Sequence, residues 1–554
     1  MTGLNNYLSS PQRREQTVLI STAYGLWPML EFELDIVQRE LDYGNRVIFL
    51  HCYGEKKYCP ANNPNPGQHF KRRKCQECIS RVKNGIEWLE YQKNKLIVSE
   101  YESVTTREMN LIQEILSRID QNKKEKKIIQ ELMNINEVDV FESAYSQLIT
   151  ELSDSRPDLE ANWTFLRSLL EIGLISYYSA KKVLQKYDPD KVYVFNGRIS
   201  RYRPLMRLAQ KNDCELIVHE YPILGFEKYT LTSGTYSHNT NQFSRQLLNK
   251  FETMNASASV VTSVATDWFK RRSNFNFDPL NEYLFDDTFS HIAKETGLPK
   301  NWQVQKFNIV FFISSEFERA DIKENSLITP FGQAEAIKLI SNLFPEVICT
   351  VRIHPHLKSK DAAFVAELTE LRNLSNVEVI NAFDDYNSYA LIGAADLVVT
   401  FGSTIGVEAA FRGQPVLNVG PALYSEFNCV KSCEDAEEFL SLIAAALKND
   451  FSSFPLKEQR SEGACKFVYA YLNFGVSPKY LEKVDYFEGY MIRDGKRKKI
   501  KASSWIIFKN RMLNFIPRTH YLIRMLAMKP SIVRKIRPSN VFQNLKKAFY
   551  GEMP

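Results

Sequence analysis

The stretch VVTFGSTIGVEAAFRGQPVLNVG, Val398 to Gly420, decides how the rest of the chain is read. A short apolar run ends at Phe401. Small residues follow (Gly402, Ser403, Thr404, Gly406), then a helix-like stretch to Arg412, then a second apolar run ending at Val419. A seam between strand and helix presents unpaired backbone N–H groups, a positive helix end and hydroxyls, which together can hold a phosphate. Gly402 lets the backbone turn tightly, and Ser403 or Thr404 can cap the helix. An ordinary capped turn reads the same way, so the surrounding sequence has to decide between the two.

Outward from that seam, apolar β-type runs fall at 307–313, 347–353, 377–380, 397–401 and 416–419. Helical patterns alternate with them near 331–343, 361–372, 386–394, 405–412 and 435–448. This alternation predicts a parallel sheet covered on both faces, and the unbroken apolar runs agree with strands buried on both sides. The N-terminal half begins with a βαβ pattern: TVLIS (17–21), a helical stretch from Leu30 to Leu41, and a strand at 47–50. Strands return at 191–195 and 215–219. Residues 80–190 read as mostly helical, and 230–300 show no strong helix before about Val260.

The expected fold class is α/β, with two Rossmann-like doubly wound domains, a deep cleft between them, a helical insertion and a basic C-terminal tail. The expected divisions are 1–295, 296–475 and 476–554.

Apolar residues make up 44% of the 554 and charged residues 25%, a globular balance that argues against a disordered chain. The opening residues are polar and lack the apolar core of a signal peptide, and no apolar run approaches bilayer-spanning length. A cytoplasmic protein is expected. From Met491 onward there are 16 Lys/Arg against two acids, whereas the whole chain carries only +6, so the body is acidic and the tail basic. Trp505, Phe508, Met512 and Phe515 fall at helical spacing among Lys509, Arg511 and Arg518. That pattern suits a helix lying on the anionic inner face of a membrane, with packing of its apolar residues on the body as the alternative. No nucleic-acid motif accompanies the charge.

Ligands of parallel α/β domains bind at the carboxyl ends of strands, and three segments there carry suitable chemistry. Ser314, Ser315 and Glu316 follow the run at 307–313; they can bind phosphate or ribose, or simply cap a helix. Arg352, His354 and His356 lie in RIHPH, where Pro355 keeps His354 out of helical geometry and the imidazoles can donate to a phosphate or act as an acid. The third is the opening seam, with Glu408 one turn beyond it as a candidate acceptor for ribose hydroxyls.

Taken in order, SSEFE (314–318), RIHPH (352–356) and DDYNSYALIGAADLVVTFGSTIGVEAAFRGQPVL (384–417) resemble the donor domain of the capsule polysaccharide synthesis glycosyltransferases. That family includes bacterial Kdo transferases and is similar in outline to bacterial sialyl- and polysialyltransferases. The resemblance covers about residues 300–450. It implies a GT-B fold with a nucleotide sugar held mainly by the C-terminal domain. It implies His354 near the donor phosphate, Ser403 and Thr404 on phosphate oxygens, and Glu408 near the nucleotide. It implies a nucleotide-sugar donor and a polysaccharide or lipid-linked acceptor, with no cofactor for catalysis.

The acidic pair followed by glycine that sialyltransferase-like enzymes use as a base has no match here, so the base is sought among the residues themselves. Glu31 and Glu33 open the first helix after a strand end and can act as a base or merely complement the helix dipole. Glu220, beside His219, is a rival. Arg198, Arg201 and Arg203 can meet an anionic acceptor or lie in a solvated basic loop. Cys52, Cys59, Cys75 and Cys78 have a spacing that can close a structural zinc site, with His51 and His69 as substitutes and unligated thiols as the alternative. Rival functions on the same fold are a nucleotide-sugar 2-epimerase, a polyol-phosphate transferase of teichoic-acid type, and a non-catalytic nucleotide-sugar-binding scaffold.

Overall fold

The computed structural model describes residues 14–504 apart from 23, 53–58, 60–71, 101–102, 124, 136–137, 221–227, 237, 274–296, 301, 319–331, 385, 434 and 484–488. The tail residues from Trp505 onward, and His69, lie outside the described residues.

Two six-stranded sheets organise the chain. The first contains β1 (Thr17–Ser21), β2 (Arg46–His51), β3 (Leu96–Glu100), β4 (Lys191–Phe195), β5 (Glu215–Glu220) and β6 (Thr230–Ser233), in the order β3-β2-β1-β4-β5-β6. Its pairs are parallel except β5 with β6. The second contains β7 (Asn308–Phe312), β8 (Ile348–Arg352), β9 (Val377–Ile380), β10 (Leu397–Thr400), β11 (Val416–Val419) and β12 (Lys431–Cys433), ordered β9-β8-β7-β10-β11-β12 and parallel throughout. Both sheets have the doubly wound order in which the chain starts in the middle, runs to one edge, and returns to build the other half. The central strands are buried along nearly their whole length, as their apolar sequences require.

Nine helices matter for the site: α1 (Met29–Asp42), α2 (Arg72–Ile86), α3 (Val140–Leu152), α4 (Trp163–Tyr187), α5 (Thr240–Glu252), α6 (Ala258–Ser273), α7 (Gln333–Leu343), α8 (Ile405–Phe411) and α9 (Lys457–Asn473). α5 lies where the sequence pattern shows no strong helix. Its face is set by only a few apolar residues, of which Phe243 and Leu247 are buried, and Asn239 caps it by accepting from the Gln242 N–H.

Packing divides the chain differently from the expected 1–295, 296–475 and 476–554. Phe243 and Leu247 of α5 and Val261, Ala265, Trp268 and Phe269 of α6 share one core with Val310, Phe312 and Val398 of the second sheet and Phe467 of α9. Two helices that precede residue 295 therefore belong to the C-terminal lobe. In the other direction, β13 (Leu481–Lys483), β14 (Gly489–Arg493) and β15 (Lys496–Lys498) form a small antiparallel sheet, and Leu481, Met491 and Ile500 join the core around α1. The start of the expected tail is thus folded onto the N-terminal lobe.

Asp35 of α1 secures that return. Its carboxylate, fully buried, accepts from the backbone N–H groups of Lys479 and Tyr480 (both 2.7 Å), the Tyr229 hydroxyl (2.9 Å) and Arg39 Nε (2.7 Å). Removing it strands four donors at once. Asp35→Ala is expected to cost about 3 kcal/mol of unfolding free energy in urea titrations, because buried donors left without a partner pay their full desolvation. A loss below about 1 kcal/mol would show that the return strand is held by apolar packing alone.

Candidate active site

β8, β7 and β10 lie side by side, and their register puts Arg352, Phe312 and Thr400 in one row. Parallel strands end on the same side, so the segments 313–318, 353–358 and 401–404 leave the sheet together. β7 and β10 also flank the point where the strand order reverses, which in open α/β sheets forms the ligand crevice.

Polar side chains at the strand ends shape the seam at 401–406. Gly402 has φ +74°, a left-handed conformation that glycine adopts without strain. Its N–H donates to Asn418 Oδ1 (3.0 Å), and the Ser403 N–H donates to Thr400 Oγ1 (3.1 Å). The Tyr424 hydroxyl donates to the Ser403 carbonyl (2.6 Å). Gly406 makes room for it, since a Cβ there would stand 2.3 Å from that hydroxyl. Thr404 begins α8, but its side chain caps no N–H, unlike the capping expected from sequence. Ser403 is half-buried and Thr404 exposed.

The histidine loop is built around a short 3-10 turn, Pro355–Leu357. His354 is extended (φ −63°, ψ 132°), as the following proline requires. Its Nδ1 accepts from the His356 N–H (3.1 Å), so the ring proton sits on Nε2. Burial pushes the imidazole down to about 4; Arg352 and Arg272 press the same way and Glu318 opposes them. His354 is therefore a neutral donor at neutral pH. His356 has a different part. Its Nδ1 lies 3.3 Å from Glu318 Oε1 and its Nε2 is 2.5 Å from Lys360 Nζ. Both nitrogens are engaged by protein, and the Lys360 ammonium also lies over the Phe317 ring.

Ser314 and Ser315 are buried at the end of β7. The Gln333 side chain, at the start of α7, grips Ser314: the Ser314 N–H donates to its Oε1 and its Nε2 donates to the Ser314 carbonyl, both at 3.0 Å. Arg352 is buried and donates to the Asn381 carbonyl. Glu316 pairs across the lobes with Arg156 at 3.3 Å, and burial raises its carboxyl against that pull. Glu408 is held by Arg272 and the Tyr389 hydroxyl, so its expected role towards ribose is already taken by protein partners.

The N-terminal lobe touches this edge directly. Arg198, just beyond β4, donates to the carbonyls of Glu318 (3.2 Å) and Phe317 (3.5 Å) and to Ser146 Oγ (2.5 Å). Ser155 donates through its N–H and hydroxyl to Asp361 (3.1 and 2.9 Å). The carboxyl ends of the two sheets therefore face each other, and Arg198 serves as a clamp between lobes instead of an acceptor contact. Arg201 is buried over the rings of Tyr202 and Tyr24, and Arg203 pairs with Asp139, so both have structural partners.

Glu31 and Glu33 depart from expectation. α2 and the segment at Ile500, beyond the last strand, pack over the first turn of α1, leaving Glu31 1% and Glu33 0% exposed, closed to an acceptor hydroxyl. Glu31 is bound by Arg81, although burial still pushes its carboxyl up to about 7. Glu33 lies 3.8 Å from His219 Nε2. Burial pushes that imidazole down to about 3, so the contact is not an ion pair at neutral pH. Glu220, at the end of β5, is half-buried and accepts from the Asn196 side chain.

Cys52, Cys59, Cys75 and Cys78 are all free thiols. Cys78 Sγ accepts from the Gly25 N–H (3.1 Å), and burial, with Cys59 and Cys52 nearby, pushes its thiol up to about 11. Among the described residues no group of three or more His, Cys, Asp or Glu is placed to hold a metal ion. No described helix is long and apolar enough to cross a membrane.

The depressed imidazoles make stability depend on pH. An unfolded histidine binds its proton near 6.5, whereas folded His219 and His354 resist it down to about 3 and 4. The unfolded state holds more protons in that window, so their contribution is complete above pH 6.5 and is lost as pH falls through the folded values. The urea midpoint should drop between pH 6.5 and 4, and His219→Phe should flatten that slope. An unchanged slope in the variant would mean that His219 titrates normally when folded.

No family model matches the chain, and no curated protein matches it. Solved structures similar to it include the β-Kdo 2,4 transferase of Thermosulfurimonas dismutans KpsC, with 12% identity, 58% of this chain and 86% of that one covered, and a TM-score of 0.32. The β-Kdo 2,7 transferase of the same KpsC has 15% identity, covers 60% and 89%, and has a TM-score of 0.30. A UDP-GlcNAc 2-epimerase from Neisseria meningitidis, bound to UDP-GlcNAc, has 12% identity, covers 82% and 98%, and has a TM-score of 0.24. These likenesses are slight, and the two-lobed doubly wound fold stands on the chain's own strand order.

Proposed function

We propose that the chain is a glycosyltransferase that moves a sugar from a nucleotide-sugar donor to a hydroxyl of a growing or lipid-linked surface polysaccharide. The observation that carries this reading is the single row of Arg352, Phe312 and Thr400, from which three donor-rich segments emerge on the edge facing the other lobe.

In the proposed reaction the acceptor oxygen bonds to the anomeric carbon as the bond from that carbon to the phosphate oxygen breaks. The electron pair leaves with the phosphate. His354 donates its Nε2–H to the oxygen that gains charge, and Ser403 and Thr404 donate from the adjacent turn. A neutral imidazole suits this part, because it remains a donor without needing a proton from solvent. The acceptor proton passes to a carboxylate. Of the three weighed from sequence, Glu220 alone keeps exposure, and Asn196 orients it, so Glu220 is the proposed base.

The proposed enzyme is cytoplasmic and peripheral on the inner face of the membrane, held there by its basic tail. The last described residues run along α2, with Arg81 and Asn84 donating to the carbonyls of Ile500 and Lys501 and Ser80 Oγ accepting from the Ser503 N–H. The tail therefore starts beside the N-terminal lobe, which would receive a lipid-linked acceptor.

A thermal-shift panel of CMP-, CDP-, UDP- and GDP-linked sugars tests the reading. One nucleotide class should stabilise the chain, by about 2.7 kcal/mol when present at a hundred times its Kd. His354→Ala should lose most of that shift. Absence of any shift across the four classes would overturn the proposal.

A further inference from the structure

We infer that the crevice between the last turn of α1 and the small antiparallel sheet is a glycan-binding site, which takes an uncharged, hydroxyl-rich stretch of a polysaccharide. Binding there stands on the crevice's own walls. The part it plays, holding a polymer while its far end reacts, rests on the glycosyltransferase reading.

In sequence, residues 491–498 read as the start of a basic tail. The fold uses them otherwise. β14 and β15 are joined by a two-residue turn in which Asp494 (φ +47°) and Gly495 (φ +73°) are both left-handed. Between this sheet, α1 and the turn that precedes β3 lies a cavity of about 1130 Å³. Small-molecule sites usually measure about 300–1,000 Å³, so this one has room for a stretch of chain.

The charges that line it are four acids (Asp42, Glu90, Glu482, Asp494) and four bases (Lys95, Lys479, Arg493, Arg497). Three of the bases meet lining acids directly. Lys479 Nζ lies 3.1 Å from Asp42 Oδ2, Arg493 Nη1 3.3 Å from Glu90 Oε1, and Arg497 Nε 2.9 Å from Glu482 Oε2. An anionic ligand would meet an acid beside each of these cations. A hydroxyl suits them, because it donates to the carboxylate while accepting from the cation. In each pair one side chain is half or more exposed, and such pairs contribute between nothing and about 1 kcal/mol. Stability therefore does not account for three of them around one cavity.

Two phenol rings complete the wall. Tyr91 is 49% exposed, and Tyr480 is fixed by its hydroxyl on Asp42 and by an edge-on contact with Trp88, ring centroids 5.8 Å apart. A sugar ring lays its C–H face on an aromatic ring and turns its hydroxyls to the polar rim. Gln38, buried beneath, donates to Asp42 Oδ1 (2.9 Å) and the Glu90 carbonyl (3.0 Å) and accepts from the Glu90 N–H (3.0 Å). The walls are thus set before a ligand arrives, which lowers the cost of binding.

Position says which part of a polymer sits here. Gly44 and Lys95 of the crevice stand just before β2 and β3, at the amino ends of the strands. The proposed reaction lies at the carboxyl ends. The six residues of β2, at about 3.3 Å each, separate the two by roughly 20 Å along the strand. One ligand that reaches both is a polymer, and a hold on its body raises the effective concentration of its end at the reacting edge.

The full chain is titrated calorimetrically with the neutral hexasaccharides of maltose, cellobiose, laminaribiose and chitobiose type and with anionic hexagalacturonate, and the unliganded Tm is measured for each variant. At least one neutral probe should bind. Tyr91→Ala should weaken it roughly ten-fold or more at parental Tm, while Tyr91→Phe, which keeps the ring, should retain it. Glu482→Ala/Arg497→Ala, which removes both members of one exposed pair, should weaken it independently. Binding of no neutral probe, binding of hexagalacturonate alone, or affinity unaltered by both sets of changes would overturn the inference. Free CMP, CDP, UDP and GDP are titrated in parallel and should bind the parent and Tyr91→Ala alike. Their equal loss in Tyr91→Ala would overturn the assignment of Tyr91 to a separate site. A chain that binds a neutral hexasaccharide through Tyr91 and none of the four nucleotides would overturn the glycosyltransferase reading and leave the crevice standing.

Discussion

The parallel hydrogen-bonded register of β8, β7 and β10 is the constraint on which the rest depends. It sets Arg352, Phe312 and Thr400 level. A slip of one residue would move a following segment by about 3.3 Å along the strand and turn every side chain to the opposite face. Burial on both faces forbids that slip, because it would exchange positions shaped for different neighbours. The two polar residues near the strand ends, Thr400 and Asn418, are fully buried and bind the turn's own N–H groups. The sheet therefore carries its precision into the turn through side chains that belong to the strands.

The lobes are joined in several ways, and magnitude separates them. Arg156 reaches Glu316 and Glu367 from a side chain 46% exposed. Exposed pairs of this kind contribute between nothing and about 1 kcal/mol. Ser155 with Asp361, and Arg198 with the carbonyls of Phe317 and Glu318, are buried or nearly so, and there an unmet donor or acceptor costs about 1–3 kcal/mol. These contacts fix the orientation of the lobes at one point on the working edge. Because Arg198 grips the segment that bears Glu318, and Glu318 holds His356, the N-terminal lobe has a mechanical connection to the histidine loop.

Much of this architecture is legible in the amino-acid order, for a reason that also marks where legibility stops. Strands buried on both faces must be apolar throughout, so runs such as NIVFF and LVVT announce themselves. Turn chemistry is local too, and the glycine, proline and hydroxyl residues at 352–356 and 402–406 stand out. Side-chain partnership across distant segments has no local trace. Glu31 reads as a first-turn acid open to a cleft, yet Arg81, fifty residues on, covers it. Glu408 reads as a ligand acceptor, yet Arg272, 136 residues earlier, claims it. Asn418 was the available signal: an amide inside the apolar strand VLNV requires a polar partner, and the partner is the Gly402 N–H. α5 leaves little trace in the sequence, because Phe243 and Leu247 are its only large side chains to be fully enclosed.

Electrostatics at the histidine loop reverses the simplest reading of its motif. Two imidazoles around a proline suggest two interchangeable phosphate donors. Burial and the cations Arg352 and Arg272 instead hold His354 neutral with its proton on Nε2, and His356 spends both nitrogens on Glu318 and Lys360. Positive charge is supplied by residues that do not titrate near neutral pH, while the imidazole contributes direction. In the proposed reaction a site built this way has its donors in place before a ligand arrives, and they need no proton from solvent. The buried carboxylate of Glu408, one turn beyond the seam, is tolerated because Arg272 and the Tyr389 hydroxyl engage its two oxygens, so its charge is met within the protein.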